Sequence, residues 1–382
     1  MLMRYVIWGG LALIALPLAG FGLWLATLPA ATAVAIAPAI PQAEVDATLA
    51  ALKPPKRARP LIAVISLNDA TETTDYIMPA GILRRADIAN VAMLSTEPGP
   101  VELYPALKVE ADATIGAFDA AHPDGADYVI VPAMSRDDDP TVTAWLRKQA
   151  RSGAIIIAVC AGAKVAAAAG LLDDKRATTH WYYRGELLER HPSIRYIPDR
   201  RIVVDVRVAT TTGISASMPT ALTLIEAIAG RQKAVQVAES LGLESWDARH
   251  ASDAFVFTRP FATTVMINSL AFWRRDSFGI SLEPGMDEVS LALVADAWSR
   301  TYRSRAETFA ATPAAVVTLG GLRLLPDEAA SKHTGSPLPF DESKPAVEAV
   351  NAALNVIGER YGRATADVVA MQLEYPRSVS SP

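Results

Sequence analysis

The chain has 382 residues, enough for two domains or for one domain with a large appendage. Half of it is hydrophobic and a fifth is charged, so it can bury a large core, and a formal net charge of −5 without a basic patch argues against direct nucleic-acid binding. One cysteine excludes an intrachain disulfide framework and a cysteine-based zinc cluster, and the five histidines lack metal-ligand spacing, so neither a metal nor a cofactor is expected.

From Tyr5 to Leu28 the chain carries no charge, over about the length that crosses a bilayer as a helix. Trp8 and Trp24 lie near the two ends, as interfacial aromatics do. A cleaved signal peptide is the alternative, with a cleavage site in the Ala-rich stretch after Ala30. The run exceeds a usual signal core, which favours an uncleaved anchor over residues 1–29. Arg4 precedes the span, and the next basic residues are Lys53, Lys56, Arg57 and Arg59. The positive-inside bias then places a single-pass anchor in the inner (cell) membrane with the body outside the cytoplasm, in the periplasm. Residues 30–59, rich in Ala and Pro, read as a tether.

The body begins with a predicted strand at Leu61–Leu67 and a helix from about Tyr76 to Ala86. Strands follow at Asn90–Ser95 and Asp127–Val131, then a helix at Thr141–Arg151. The run Ala154–Val159 is apolar and β-branched, and it ends at Cys160, the sole cysteine. A small-residue helix starts at once. A strand, a tight turn and a helix with the thiol on the turn form the cysteine version of a nucleophile elbow. Ala161, Gly162 and Ala163 suit a crowded turn, and the helix N-terminus favours a thiolate, predicting a pKa below that of a free thiol. The alternative for a lone cysteine is a buried small hydrophobe. A strand at Ile202–Val208 and a long helix from Ala216 to Leu241 complete an α/β pattern with a mainly parallel sheet, whose ligands gather at the carboxyl ends of the strands.

Four segments carry a family resemblance: Asp75-Tyr-Ile-Met-Pro79, Val159-Cys-Ala-Gly162, Ala169-Gly-Leu-Leu-Asp173 running into Arg176-Ala-Thr-Thr-His180-Trp181, and Ala221–Gly230. With these, residues 61–245 resemble the DJ-1/PfpI family of the class I glutamine-amidotransferase-like superfamily. The nearest branch contains isocyanide hydratase and the ligand domains of certain AraC-type regulators. The resemblance implies a flavodoxin-like doubly wound parallel sheet sandwich, and it makes a homodimer an expectation.

The tail resembles the body. Shifted by 215 residues, Ala80, Arg85, Pro98, Val101, Leu107 and Asp112 meet Ala295, Arg300, Pro313, Val316, Leu322 and Asp327. Shifted by 132, Ala221-Leu222, Ile225, Gly230-Arg231, Ala234, Val237-Ala238 and Leu241 meet Ala353-Leu354, Ile357, Gly362-Arg363, Ala366, Val369-Ala370 and Leu373. The tail therefore reads as a degenerate half-module lacking 83 residues (215 less 132), the elbow among them. The organisation expected is an anchor at 1–29, a tether at 30–59, a DJ-1/PfpI-like domain at 60–250, a connector at 251–279 and a half-module at 280–376. An exposed half-sheet must be covered, so the tail is expected to pack on the first module or on a second copy.

Cys160 is the candidate nucleophile. By resemblance, Asp75 is the acidic residue beside it, with a raised pKa that allows proton donation; a helix cap is its other reading. His180 matches the family's Thr-Thr-His and is read either as a base or orienting group or as a hydrogen-bonded core histidine. Trp181 lines the pocket or packs. Ala161, Gly162, Ala133 and Met134 supply the pocket and oxyanion region, and Lys164 is read as a surface residue. Ala161 after the cysteine rules out the adjacent Cys-His dyad, and Pro132-Ala133-Met134 stands where the family often has Gly-Gly; both weaken protease and amidase readings. Three function classes follow. One is an enzyme in which Cys160 adds to a small electrophilic carbon, as in a hydratase. The second is a small-molecule or redox sensor, and the third is a membrane-tethered scaffold with a vestigial site.

Overall fold

The structure, a computed structural model, describes residues 19–30 and 36–376. Among these, the main sheet has seven strands in the spatial order Ile202–Asp205, Val208–Thr211, Ile155–Ala158, Tyr128–Val131, Leu61–Ser66, Asn90–Ser95, Ala113–Thr114. All neighbours are parallel except the first two strands, an antiparallel hairpin. The apolar runs build a sheet covered on both faces. Ile62, Val64, Tyr128, Ile130, Ile155 and Ile157 enter one core, and Leu61, Ala63, Ile65, Val129, Val131 and Ile156 enter the other. This is the α/β sandwich expected from the sequence.

Three local expectations change. The strand placed at 202–208 is a hairpin whose turn puts Val206 at φ 58°. The long helix at 216–241 is two helices, Ser217–Ala229 and Arg231–Leu241, because Gly230 at φ 86° breaks it. Helix Thr73–Ala86 begins three residues before the predicted start, capped by Glu72, whose carboxylate accepts from the Asp75 amide at 2.7 Å.

The membrane-spanning helix and the inner-membrane, periplasmic placement built on it are corrected. Among the described residues no helix is long and apolar enough to cross a membrane. Residues 5–18 of the expected span lie outside the described residues. Its remainder is helical at 19–27 and ends against the body. There Arg259 caps it, donating to the carbonyls of Leu25 (3.0 Å) and Ala26 (3.1 Å), and Trp24 lies 6.0 Å from the Phe257 ring. A guanidinium on the last carbonyls fits a helix end held by protein.

The stretch read as a tether contains helix Gln42–Ala51, tied down by the Arg200–Glu44 ion pair at 2.6 Å and by Tyr128, which donates to the Leu52 carbonyl at 2.7 Å. Lys56 and Arg57 are spent on the body, on the Ala126 carbonyl (2.7 Å) and on Asp127 (2.6 Å). The stretch read as a connector contains helix Arg259–Leu270.

The tail forms a four-stranded parallel sheet in the order Glu328–Ala329, Ser304–Ala310, Asp276–Ser281, Ser336–Pro337. A five-stranded sheet joins the halves, with Arg323–Leu325 of the tail antiparallel to Lys108–Glu110 of the body. Helix Glu288–Ser299 packs on helix Thr73–Ala86, and tail residues such as Val289, Ala292 and Leu293 share one core with Ile77 and Ala80.

Candidate active site

Strand Ile155–Ala158 delivers Cys160 to a turn in which its φ is 57°, a left-handed conformation costing a non-glycine residue about 1 kcal/mol or more. Two threonines hold it. The Cys160 amide donates to Thr211 Oγ1 at 3.0 Å, and Thr179 Oγ1 donates to the Cys160 carbonyl at 3.1 Å. Gly162 is required by space, because a Cβ there would lie 2.1 Å from the Val131 carbonyl oxygen. The helix that follows, Gly162–Ala168, has only seven residues, so its dipole is weak.

Cys160 is buried, 4 % exposed. Burial pushes its pKa well above the free value, with the Asp75 and Glu72 charges adding to the rise, while a hydrogen bond from the Ala161 amide acts the other way. The depressed pKa predicted from the helix terminus is therefore reversed: desolvation and two carboxyls outweigh one amide and a short helix.

Asp75 sits in the first turn of helix Thr73–Ala86, fully buried. Its Oδ2 accepts from the Ala133 amide at 3.1 Å, and its Oδ1 has no protein partner. Burial and then the Glu72 charge raise its pKa well above the ordinary value, which favours the protonated form. Glu72, not Asp75, caps the helix, which removes the cap reading of Asp75. Burial and the Asp296 charge raise Glu72 to about 7, against the pull of Arg300. Arg300 comes from the tail and bridges Glu72 Oε1 (2.7 Å) and Asp296 (2.8 Å). Tyr183 is lifted to about 12 by burial and by the nearby Cys160. The guanidinium of Arg300 lies 5.9 Å from the ring of Tyr104, which is 66 % exposed. The result is a buried thiol, a buried carboxyl with one unpartnered oxygen, and a cluster of buried acids bridged by Arg300. Among the described residues no group of three or more His, Cys, Asp or Glu side chains is arranged to hold a metal ion.

Residues 62–227 match the DJ-1/PfpI family. The chain belongs to the DJ-1/PfpI family. It is 32% identical over 159 residues to the HTH-type transcriptional regulator CdhR of Pseudomonas aeruginosa, covering 41% of this chain and 46% of the regulator. It is 40% identical over 95 residues to isonitrile hydratase of Pseudomonas putida, covering 25% and 40%. It is 27% identical over 185 residues to protein dj-1beta of Drosophila melanogaster, covering 47% and 95%. A regulator and a hydratase among the relatives agree with the branch that the sequence resembles. The chain spans less than half the length of these first two relatives.

Of the other residues singled out in the sequence, Ala133, Met134 and Lys164 are placed differently from their expected roles, whereas His180 and Trp181 are hydrogen-bonded and packed, one of the two readings given for each. Ala133 gives its amide to Asp75 rather than leaving it free for an oxyanion, and Met134 is buried and bridges Thr71. His180 is buried with both nitrogens engaged: Nδ1 accepts from the Tyr182 amide at 3.2 Å, so Nε2 is the donor to the Gln372 carbonyl at 3.0 Å. Burial lowers its pKa, so it is neutral at pH 7. Trp181 donates to the Met371 carbonyl at 2.8 Å and packs edge-on against Phe261. Both residues hold the tail to the elbow side of the sheet. Lys164 is not a free surface lysine; it bridges Asp137 (2.7 Å) and Glu186 (2.8 Å) and lies 5.0 Å from the Tyr183 ring. Sequence reasoning missed Glu72, Asp296 and the role of Arg300. The available signals were the carboxylates three apart at 72 and 75, and Arg300 meeting Arg85 under the 215-residue shift.

Proposed function

We propose that this DJ-1/PfpI protein acts on a small electrophilic molecule through Cys160, in a hydratase-like reaction. The observation that carries the reading is the unpartnered Asp75 Oδ1, on a buried carboxyl whose pKa is raised and whose charge acts on the elbow thiol. Leaving a buried carboxyl oxygen without a partner costs about 1–3 kcal/mol, a penalty that a hydrogen bond to a ligand or to the thiol would relieve. The 40% identity to an isonitrile hydratase supports the substrate class.

The steps balance for an isonitrile, R–N≡C. The Cys160 thiol adds to the terminal carbon: its sulfur bonds to that carbon, the carbon takes the Asp75 proton, and Asp75 takes the thiol proton, giving R–N=CH–S–Cys160. Water adds across the C=N bond and the C–S bond breaks, releasing R–NH–CHO and the Cys160 thiol. One water is consumed and nothing is oxidised. His180 serves in this scheme as a positioning residue, since its ring nitrogens face the Tyr182 amide and the Gln372 carbonyl.

A second reading is a ligand-holding or redox sensor. The likeness to the CdhR regulator favours it, and a thiol that burial keeps protonated favours ligand holding over sulfur oxidation. Intact-mass spectrometry separates the two after exposure to an isonitrile panel and to peroxide. The enzyme reading expects turnover to the N-substituted formamide, lost by at least about 10³-fold in Cys160→Ala. Ligand binding or sulfur oxidation without turnover selects the sensor. A Cys160 that is inert to all reagents in the folded protein removes both.

A further inference from the structure

The two halves meet in a way that a chance contact does not produce. Under the 215-residue shift, strands Lys108–Glu110 and Ala113–Thr114 coincide with Arg323–Leu325 and Glu328–Ala329. The Asp112 carboxylate accepts from the Met93 amide at 2.7 Å, and its counterpart Asp327 accepts from the counterpart amide of Thr308 at 2.8 Å. Equivalent residues also pair with each other across the junction. Leu324 faces Val109, its own counterpart, while Arg323 faces Glu110 and Leu325 faces Lys108. Arg300 bridges Glu72 at 2.7 Å, and Arg85, the counterpart of Arg300, bridges Asp287, the counterpart of Glu72, at 2.5 Å. Residue i contacting j while j contacts i is the signature of a two-fold, isologous interface.

We propose that the tail is a fused half-copy standing in one chain where a second subunit would stand, and that its Arg300 is a positioning residue for the Cys160–Asp75 site, acting through Glu72. The inference rests on the reading of Cys160 and Asp75 as the reacting pair. Only one of the two symmetry-related sites is complete. The counterpart of Asp75 is Ser290, and the tail has no elbow. The interface therefore serves one centre: Arg300 neutralises the acid next to Asp75, and its mate Arg85 has only a structural bridge to make.

The groups facing Glu72 are Asp75, Asp296 and Arg300, with the Thr74 hydroxyl and, through Asp75, Cys160. Glu72 is the group that titrates near 7, so the rate of Cys160 alkylation by iodoacetamide should show a limb there. Arg300 favours the carboxylate, so its removal leaves Glu72 protonated to higher pH. In Arg300→Met the limb should move up by about one unit or more. Arg300→Lys should restore most of the shift, and Arg85→Met, which breaks the mirror-image bridge, should leave the limb in place. An unmoved limb in Arg300→Met, or an equal move in Arg85→Met, overturns the proposal. If Arg300→Met does not fold, Glu72→Gln decides: it must abolish the limb, and a limb that survives overturns the assignment. If Cys160 does not alkylate, the functional reading fails alone. The pH dependence of the melting temperature in the same variants then tests Arg300 by the same criterion.

Discussion

At the start of helix Thr73–Ala86 stand Glu72 and Asp75; at the start of helix Glu288–Ser299, 215 residues later, stand Asp287 and Ser290. All four are at least largely buried, and each helix is capped by the first of its pair. The local chemistry differs. Ser290 is satisfied by Asp287 Oδ2 at 3.1 Å, whereas Asp75 keeps an oxygen with no partner and lies close enough to Cys160 to shift it. The same scaffold thus holds a settled polar pair in one half and an unsettled one in the other. The shared helices meet across the junction, and the candidate site adds to one of them the elbow, which lies in the stretch present only in the first half.

That contrast can be broken at several points, the largest effect first. Asp75→Asn should cut turnover, or adduct formation at Cys160, by about 10²–10⁴-fold, the usual range for a general acid, while Ser290→Ala leaves it unchanged. Equal losses in steady-state assays would erase the distinction between the halves. Gly162→Ala should destabilise the protein by about 3 kcal/mol in denaturant melts, because its Cβ would meet the fixed Val131 carbonyl at 2.1 Å. Gly358→Ala in the tail, where a Cβ meets only the Ala366 methyl at 3.6 Å, should cost nothing measurable.

The acid cluster makes stability depend on pH. Glu72 goes from an ordinary 4.5 to about 7 on folding. A raised folded pKa gives stability that is complete below about 4.5 and is lost as pH rises through about 7, amounting to roughly 3 kcal/mol. Asp75 acts in the same direction. Glu72→Gln should flatten the fall in stability between pH 5 and 8, read by thermal melts across that range. The smallest expected effect is at the tail's attachment. Trp181→Phe loses the hydrogen bond to the Met371 carbonyl and should cost about 1 kcal/mol, with hydrogen exchange speeding up at 371–375 before the rest of the chain.

The elbow was legible because its signal is local. A β-branched run ending at a cysteine followed by Ala-Gly-Ala specifies a strand, a strained turn and a crowded helix start, and the structure puts Cys160 at φ 57°. The mainly parallel sheet around it was legible from apolar strands alternating with helices, whereas the strand order came only with the structure. The apolar segment at 5–28 misled for the same reason: composition reports hydrophobicity, not what covers it, and its described end is capped by Arg259, some 230 residues away in sequence. The tether misled because Ala and Pro leave packing undecided until Leu52 and Tyr128 meet.

By itself, then, the sequence determined the α/β domain, the elbow, the family and the internal likeness of the tail, all of which rest on residue order and short-range periodicity. The tertiary structure alone decided the electrostatics of the site. A thiol raised rather than lowered, an Asp75 whose pKa is pushed up, a His180 engaged by the tail and an Arg300 brought to Glu72 all depend on burial and on charges far apart in the chain, and no spacing in the sequence encodes those distances.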